Sequence, residues 1–443
     1  MFALGHELAA TPSHKFDLAH MRVLLDALDH PEREFPAVLI AGTNGKGSTA
    51  ATLASILRAS GPKTGLYTSP HLVRINERIR INGAAIADDG FALIHDLVDR
   101  TAERLVAERE LPWHPSFFEM LTAIAFEYFA REGVEIAVLE VGMGGRLDAT
   151  NVVEPRISVI TDISLDHQKF LGNTIAEIAG EKAGIIRSGG VVVTLPQTPD
   201  ANDVIGHAIL ELGARAITAV PYVPPLSPNS APYLHPSEQE AGYVARYPLP
   251  VMGQHIAVET PLVGRHQLRN VALAIATAEE LARQGFRAIR PASIERGIRE
   301  THWPGRFQVL PATSDYPEMV FDVAHNPSGA WALRSTLSAT YEQCPLTFVF
   351  GAMHDKAIRE MAEILFPLAD HVIATQVDNP RAATPAEIHQ AAGRVSVDLE
   401  EAPHVAAALT RARALAGARG LVVVTGSIYI VGEAMRLLGV RIP

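Results

Sequence analysis

Between the apolar run Ala37–Ile40 and a helix-like stretch lies AGTNGKGST, in which Gly42, Gly45 and Gly47 surround Lys46. Glycines let backbone N–H groups close around a phosphate, a lysine adds charge, and a helix N-terminus points its dipole at the anion. The spacing departs from the usual G-x-x-x-x-G-K-[ST]: two residues separate Gly42 from Gly45, and Gly47 stands between Lys46 and Ser48. A glycine-rich turn with a chance lysine is the alternative, but the position between a buried strand and a helix favours phosphate.

Triphosphate chemistry also needs magnesium, held by oxygen ligands or a histidine, and parallel sheets collect ligands at the carboxyl ends of their strands. Three such ends carry Ser69 in YTSPHL, Glu140 in AVLEVGMGG and His167 in ISLDHQKFLG. A glutamate ending an apolar strand is costly unless paired or metal-bound. A salt bridge for Glu140 and a cap or loop role for His167 are the plainer readings; their coincidence beside the loop makes a metal site the expectation. Lys182 sits among Ala179, Gly180, Ala183 and Gly184, small residues that permit close backbone approach, yet nothing around it singles it out. Further on, Asp322 and His325 in FDVAHNP, and His354, Asp355 and Lys356 in GAMHDK, occupy other strand ends. For His354 a plain loop position, and for Asp355 a helix cap, are the alternatives. Arg306 in HWPGRFQ lies where an arginine can reach a nucleotide phosphate from the far side of a cleft.

The elements that must position these groups alternate. AVLIAG, TGLYTS, EIAVLEVG, RISVITDIS and GGVVVTL read as strands; STAATLASILRASG, FFEMLTAIAFEYFAREG and NVALAIATAEELARQG read as helices. The strand–loop–helix–strand unit from residue 37 to 69 predicts an α/β fold with a parallel sheet. The proline- and serine-rich segment from Tyr222 to Ala241 reads as a loop excursion. After WPGRF a second series, EMVFDVAHNP, LTFVFGAMHDK, DHVIATQVDNPRA and GLVVVTGSIYIVG, predicts a smaller parallel α/β domain from about Arg299.

Composition bounds the partners. The 443 residues are 48% hydrophobic and 20% charged, which suits a globular chain of more than one domain. A net charge of −11 disfavours broad nucleic-acid binding. A single cysteine, Cys344, suits a reducing compartment and reads as a plain thiol, not a nucleophile. His6 and Glu7 interrupt the apolar core a signal peptide needs, and no apolar run approaches the ~20 residues of a membrane span. A cytoplasmic protein without membrane partners is expected.

Seven ordered segments, AGTNGKGST, YTSPHLVRINERIRING, LEVGMGGRLDATN, SLDHQKFLGNTIAEIAGEKAGIIR, WPGRFQ, FDVAHNP and GAMHDK, together resemble the folylpolyglutamate synthase/dihydrofolate synthase family of the Mur ligase superfamily. The resemblance runs from about Asp17 to the C-terminus and is weakest over the proline-rich segment. It implies a P-loop ATP-binding domain with the pterin or folate site, residues 1–298, and a Rossmann-like glutamate ligase domain, residues 299–443. The implied reaction is ATP-dependent addition of L-glutamate to dihydropteroate, to folates, or to both, through an acyl phosphate, in folate biosynthesis and one-carbon metabolism. By that resemblance Thr43, Asn44, Gly45, Lys46, Gly47, Ser48, Asn270, Arg306, Asp322 and His325 contact ATP, and GRHQLRN forms a helix entry facing it. Ser69, Glu140 and His167 hold Mg2+, and Lys182 is carbamylated. Asp17, Phe117, Phe118, Leu147, Asp148 and Ala149 surround the pterin-bearing substrate, although two adjacent aromatics also suit a core. Lys46, Lys182, His167 and Glu140 become the catalytic set, in a monomer. A folylpolyglutamate synthase without the first activity is the nearest alternative. A P-loop ATPase acting on a partner, the alternative of another class, predicts the standard Walker spacing.

Overall fold

The computed structural model describes residues 18–225, 234–236, 242–314, 316–393, 395–417, 419–440 and 442. The first sheet is built from β1 (Ala37–Ala41), β2 (Thr64–Tyr67), β3 (Ile79–Ile81), β4 (Ala84–Ala85), β5 (Ile136–Glu140), β6 (Pro155–Ile160), β7 (Val191–Thr194) and β8 (Arg215–Thr218). Their order across the sheet is β4-β3-β2-β5-β1-β6-β7-β8. The run from β2 to β8 is parallel, and β3 and β4 append an antiparallel edge.

β1 and β5 are buried along their whole length because both faces of the sheet are covered. Alternation sends Val38 and Ile40 toward the helices Lys46–Ser60 and Arg265–Arg283, while Ala37, Leu39 and Ala41 face the helix Phe117–Arg131. That last helix is fixed at its start by a capping box: Ser116 accepts from the Glu119 N–H and Glu119 accepts from the Ser116 N–H.

A small antiparallel sheet follows, formed by β9 (Leu234–Pro236), β10 (Tyr243–Val251) and β11 (Gln254–Thr260), with β10 central. Part of the expected loop excursion is therefore ordered: Tyr222 ends a 3-10 turn and Leu234–Pro236 pair with β10. The rest of that expectation, residues 226–233 and 237–241, lies outside the described residues.

The last sheet joins β12 (Gln308–Leu310), β13 (Met319–Phe321), β14 (Leu346–Phe350), β15 (His371–Ala374), β16 (Asp398–Glu401) and β17 (Leu421–Thr425) in the order β12-β13-β17-β14-β15-β16. It is the second parallel sheet expected from the sequence, with one antiparallel edge strand, β12, added beside β13. None of the described helices is long and apolar enough to cross a membrane.

Candidate active site

Loops at the carboxyl ends of β1, β2, β5 and β6 meet the start of the helix Arg265–Arg283 and the C-terminal domain around one cavity of about 920 Å³. Every candidate named from the sequence in the ATP, metal and pterin sets lines it, apart from Asp17, which lies outside the described residues. His354 and Asp355 do not line it. Asp355 pairs with Arg381 at 3.0 Å, and Ala357, not Asp355, caps the helix Ile358–Leu365.

The phosphate loop is held from outside itself. The N–H groups of Thr43 and Asn44 donate to the Asp162 carbonyl at 2.9 and 3.1 Å, and the Thr43 hydroxyl donates to Ser164 O at 3.0 Å. Gly45 caps the helix at φ 89°, and a Cβ there would lie 2.1 Å from Asn270 Oδ1. Asn270 can touch the loop only because residue 45 has no side chain. Gly47 faces Trp303, whose Cζ2 would stand 3.0 Å from an added Cβ. Lys46 Nζ donates to the carbonyls of Gly42 and Thr43 at 3.1 and 3.2 Å, which folds the cation back over the loop.

Lys182 lies in the last turn of the helix Ile175–Ala183 and is 3% exposed. Its Nζ donates to the Gly42 carbonyl at 2.8 Å. Burial, reinforced by the charge of Lys46, pulls its pKa down to about 7. A neutral, nucleophilic amine is therefore far more accessible near pH 7 than for an ordinary lysine.

Glu140 closes β5 and accepts the Ser69 N–H at 3.1 Å. Burial pushes its carboxyl up, against the opposing charges of Lys46, Arg306 and Arg78. His167 begins the short helix Gln168–Leu171; burial, with the charges of Lys356 and Lys46, holds its pKa down to about 4 despite Asp166. The imidazole is therefore neutral at pH 7, as a metal ligand must be. Among the described residues no three His, Cys, Asp or Glu side chains are gathered as a metal cage. A buried carboxylate in need of a cation, a serine and a neutral imidazole around one cavity still fit magnesium, which keeps water and phosphate oxygens in its shell.

Arg306 comes from the junction between the domains. Burial lowers its pKa, opposed by Asp322 and Glu140, one carboxylate from each domain. Asp322 accepts the N–H groups of Phe307 and Ala324, both at 2.9 Å, and so shapes the turn carrying Arg306. His266, in the expected helix entry, is held neutral by burial and by Arg306, with a pKa of about 4.

Also on the cavity wall, Phe117 stacks beneath the Arg78 guanidinium, 5.4 Å from its ring centre. Phe118 leans on Tyr67 at 6.0 Å and fills the space that a Cβ on Gly142 would need. Asp148 is buried and committed to its own loop, accepting from Met143 N at 3.0 Å and from Thr150 N and Oγ1 at 3.1 and 2.6 Å. It shapes the wall that carries Leu147 and Ala149.

The sequence reading passed over Asp166, Asn326 and Arg78, all inside or beside quoted segments. Asp166 stands one residue before His167, and its partners come from the C-terminal domain: Lys356 Nζ at 2.7 Å, Asn326 Nδ2 at 3.2 Å and His325 Nε2 at 3.6 Å. Burial pushes its carboxyl up, but the contact with His325 and the charges of His167, His325 and Lys356 hold it well below the carboxylate range. An acid beside a histidine at a strand end was the available signal.

Known proteins resemble this chain in sequence and in fold. The Mur ligase middle domain matches residues 115–278, and the Mur ligase glutamate ligase domain matches residues 305–428. The dihydrofolate synthase/folylpolyglutamate synthase of Bacillus subtilis is 33% identical over 426 residues, covering 95% of this chain and 94% of that protein. A crystal structure of the Mycobacterium tuberculosis folylpolyglutamate synthase complexed with ADP and AMPPCP matches with a TM-score of 0.84 at 31% identity, over 96% of each chain. An Escherichia coli structure in complex with DHPP and ADP matches with a TM-score of 0.79 at 28% identity, over 99% of this chain and 97% of that one. With 33% identity over 95% of its length and both Mur ligase domains matched, this chain belongs to the dihydrofolate synthase/folylpolyglutamate synthase family of Mur ligases.

Proposed function

We propose that the protein joins L-glutamate to dihydropteroate and to folates at the expense of ATP, within a site formed between an ATPase domain, residues 1–298, and a glutamate ligase domain, residues 299–443. The observation that carries this reading is one cavity lined together by the phosphate loop, by Glu140, His167 and Lys182, and by the rings of Phe117 and Phe118.

A carboxylate is a poor electrophile. Its oxygen attacks the γ-phosphorus of ATP, ADP leaves, and the resulting acyl phosphate carries a good leaving group. The amine nitrogen of glutamate then attacks the acyl carbon, loses a proton, and expels inorganic phosphate. Two anions meet in the first step, so cationic groups must offset their repulsion. Lys46 and Arg306 supply charge from the two domains, and the loop N–H groups orient the phosphates. Ser69, Glu140 and His167 would hold magnesium, which when bound polarises phosphoryl oxygens and neutralises developing charge. Lys182, neutral in part at pH 7 and beside the loop, suits carbamylation by carbon dioxide, which converts a cation into an anion close to the metal side. Phe117 and Phe118 offer flat apolar surface for a pterin.

The test is purified protein with ATP, magnesium, dihydropteroate and L-glutamate, scored for phosphate and for dihydrofolate. Release of phosphate that needs both acceptor and glutamate is expected; release independent of glutamate would assign a plain ATPase. Replacing dihydropteroate with a reduced folate separates two activities from one.

A further inference from the structure

The segment Asp162–His167 faces two ways. At its start the Asp162 carbonyl takes the N–H groups of Thr43 and Asn44 in the phosphate loop. Toward its end both oxygens of Asp166 are occupied: Oδ1 by Lys356 Nζ and the His167 N–H, and Oδ2 by Asn326 Nδ2, with His325 alongside. Lys356 comes from the loop after β14 and Asn326 from the loop after β13, so these contacts cross between domains. The side chains of Asp166 and Lys356 are only 9% and 10% exposed, so this ion pair is shielded from the screening that weakens surface pairs. Asn326 adds a second crossing: its Nδ2 donates to Asn44 Oδ1 at 3.0 Å while its Oδ1 accepts from Gly329 N, capping the helix Pro327–Thr340. One carboxylate thus gathers the start of a C-terminal helix, a C-terminal lysine and, through Asn326, Asn44 of the phosphate loop.

We propose that Asp166 is a positioning residue that seats the C-terminal domain on the phosphate loop, and that its pairing with Lys356 fixes the closed arrangement in which glutamate meets the activated acceptor. The second half of the proposal rests on the ligase reading above; the seating itself does not. Removing either partner leaves the other charge buried and unmatched, so the two substitutions share one effect.

The experiment compares Asp166→Asn, Lys356→Met and the double variant with the unaltered chain, by small-angle scattering and by steady-state kinetics. The expected result is a larger radius of gyration for each single variant. Alongside it, kcat/KM for glutamate falls about tenfold or more and KM for dihydropteroate stays within about twofold, because Phe117 and Phe118 lie in the first domain. The double variant is expected to be no worse than about threefold below the weaker single one. Multiplying single effects, or an unchanged radius of gyration, overturns the proposal. Lys356→Met carries the test alone if Asp166→Asn fails to fold. A wild-type chain that ligates no glutamate would remove the ligase reading, and the scattering comparison would still decide the seating.

Discussion

Lys182 Nζ lies 2.8 Å from the carbonyl oxygen of Gly42, so an interior lysine of one helix braces the phosphate loop that precedes another. Its pKa of about 7 gives the first prediction. Incubation with 13C-labelled bicarbonate should yield a carbamate signal that grows as pH rises through 7 and is absent in Lys182→Met. His167 and His266, both held near 4, contribute no limb in that range. Turnover of Lys182→Met is expected to fall about 100-fold or more, a loss of the size seen when transition-state charge stabilisation is removed. The sign for stability follows from linkage: the unfolded chain binds more protons between about pH 7 and 10, so the cost of burying Lys182 shrinks as pH rises through that window. A flatter melting profile against pH in Lys182→Met checks this.

Glu140 carries the opposite slope. Its folded pKa is raised, so ionising it costs stability as pH rises through that pKa, and the protonated form at low pH avoids the cost. Without metal, Glu140→Gln should melt at or above the wild-type temperature at neutral pH. Its kcat with magnesium should nevertheless drop about 100- to 1000-fold. A variant that melts lower and keeps its turnover would contradict both expectations.

Gly45→Ala tests the contact with Asn270. The added methyl would overlap Asn270 Oδ1, and φ 89° already strains any side chain, by about 1–2 kcal/mol. ADP affinity measured by calorimetry should weaken about tenfold or more, which is about 1.4 kcal/mol.

Substitutions at Phe117 and Phe118 should differ in their effects, because Phe118 is the more tightly packed of the two rings. Phe118→Ala opens space against Gly142 and Tyr67 and should lower stability by about 2–3 kcal/mol. Phe117→Ala should spare the melting temperature and raise KM for dihydropteroate about tenfold. Denaturant titration and initial rates on both variants provide the check.

The legible parts were those with local signals. β1, its glycine loop and the following helix are adjacent in sequence, and Ser69, Glu140 and His167 follow apolar runs whose direction in a parallel sheet fixes where they emerge. Asp166 was illegible because its meaning lies in Lys356 and Asn326, brought to it only by domain packing. The hairpin β10–β11 hid behind Pro248 and Pro250, residues that speak against a strand. Its turn, Met252 and Gly253 at positive φ, lacks the Asn-Gly or Asp-Gly signature. β16, the edge strand DLEE, carries the charge that protects an exposed edge and a single apolar residue, Leu399, too little to announce a strand.

The extra Gly47 has a consequence for anyone who moves this loop. Inside the first turn of a helix a glycine costs about 1 kcal/mol relative to alanine, and here it leaves room for Trp303, itself 5.9 Å from the Arg80 guanidinium. The loop and the ring are one transplantable part. Grafted without the tryptophan, the loop would keep its phosphate-facing amides and carry a weakened helix start with nothing to fill the gap.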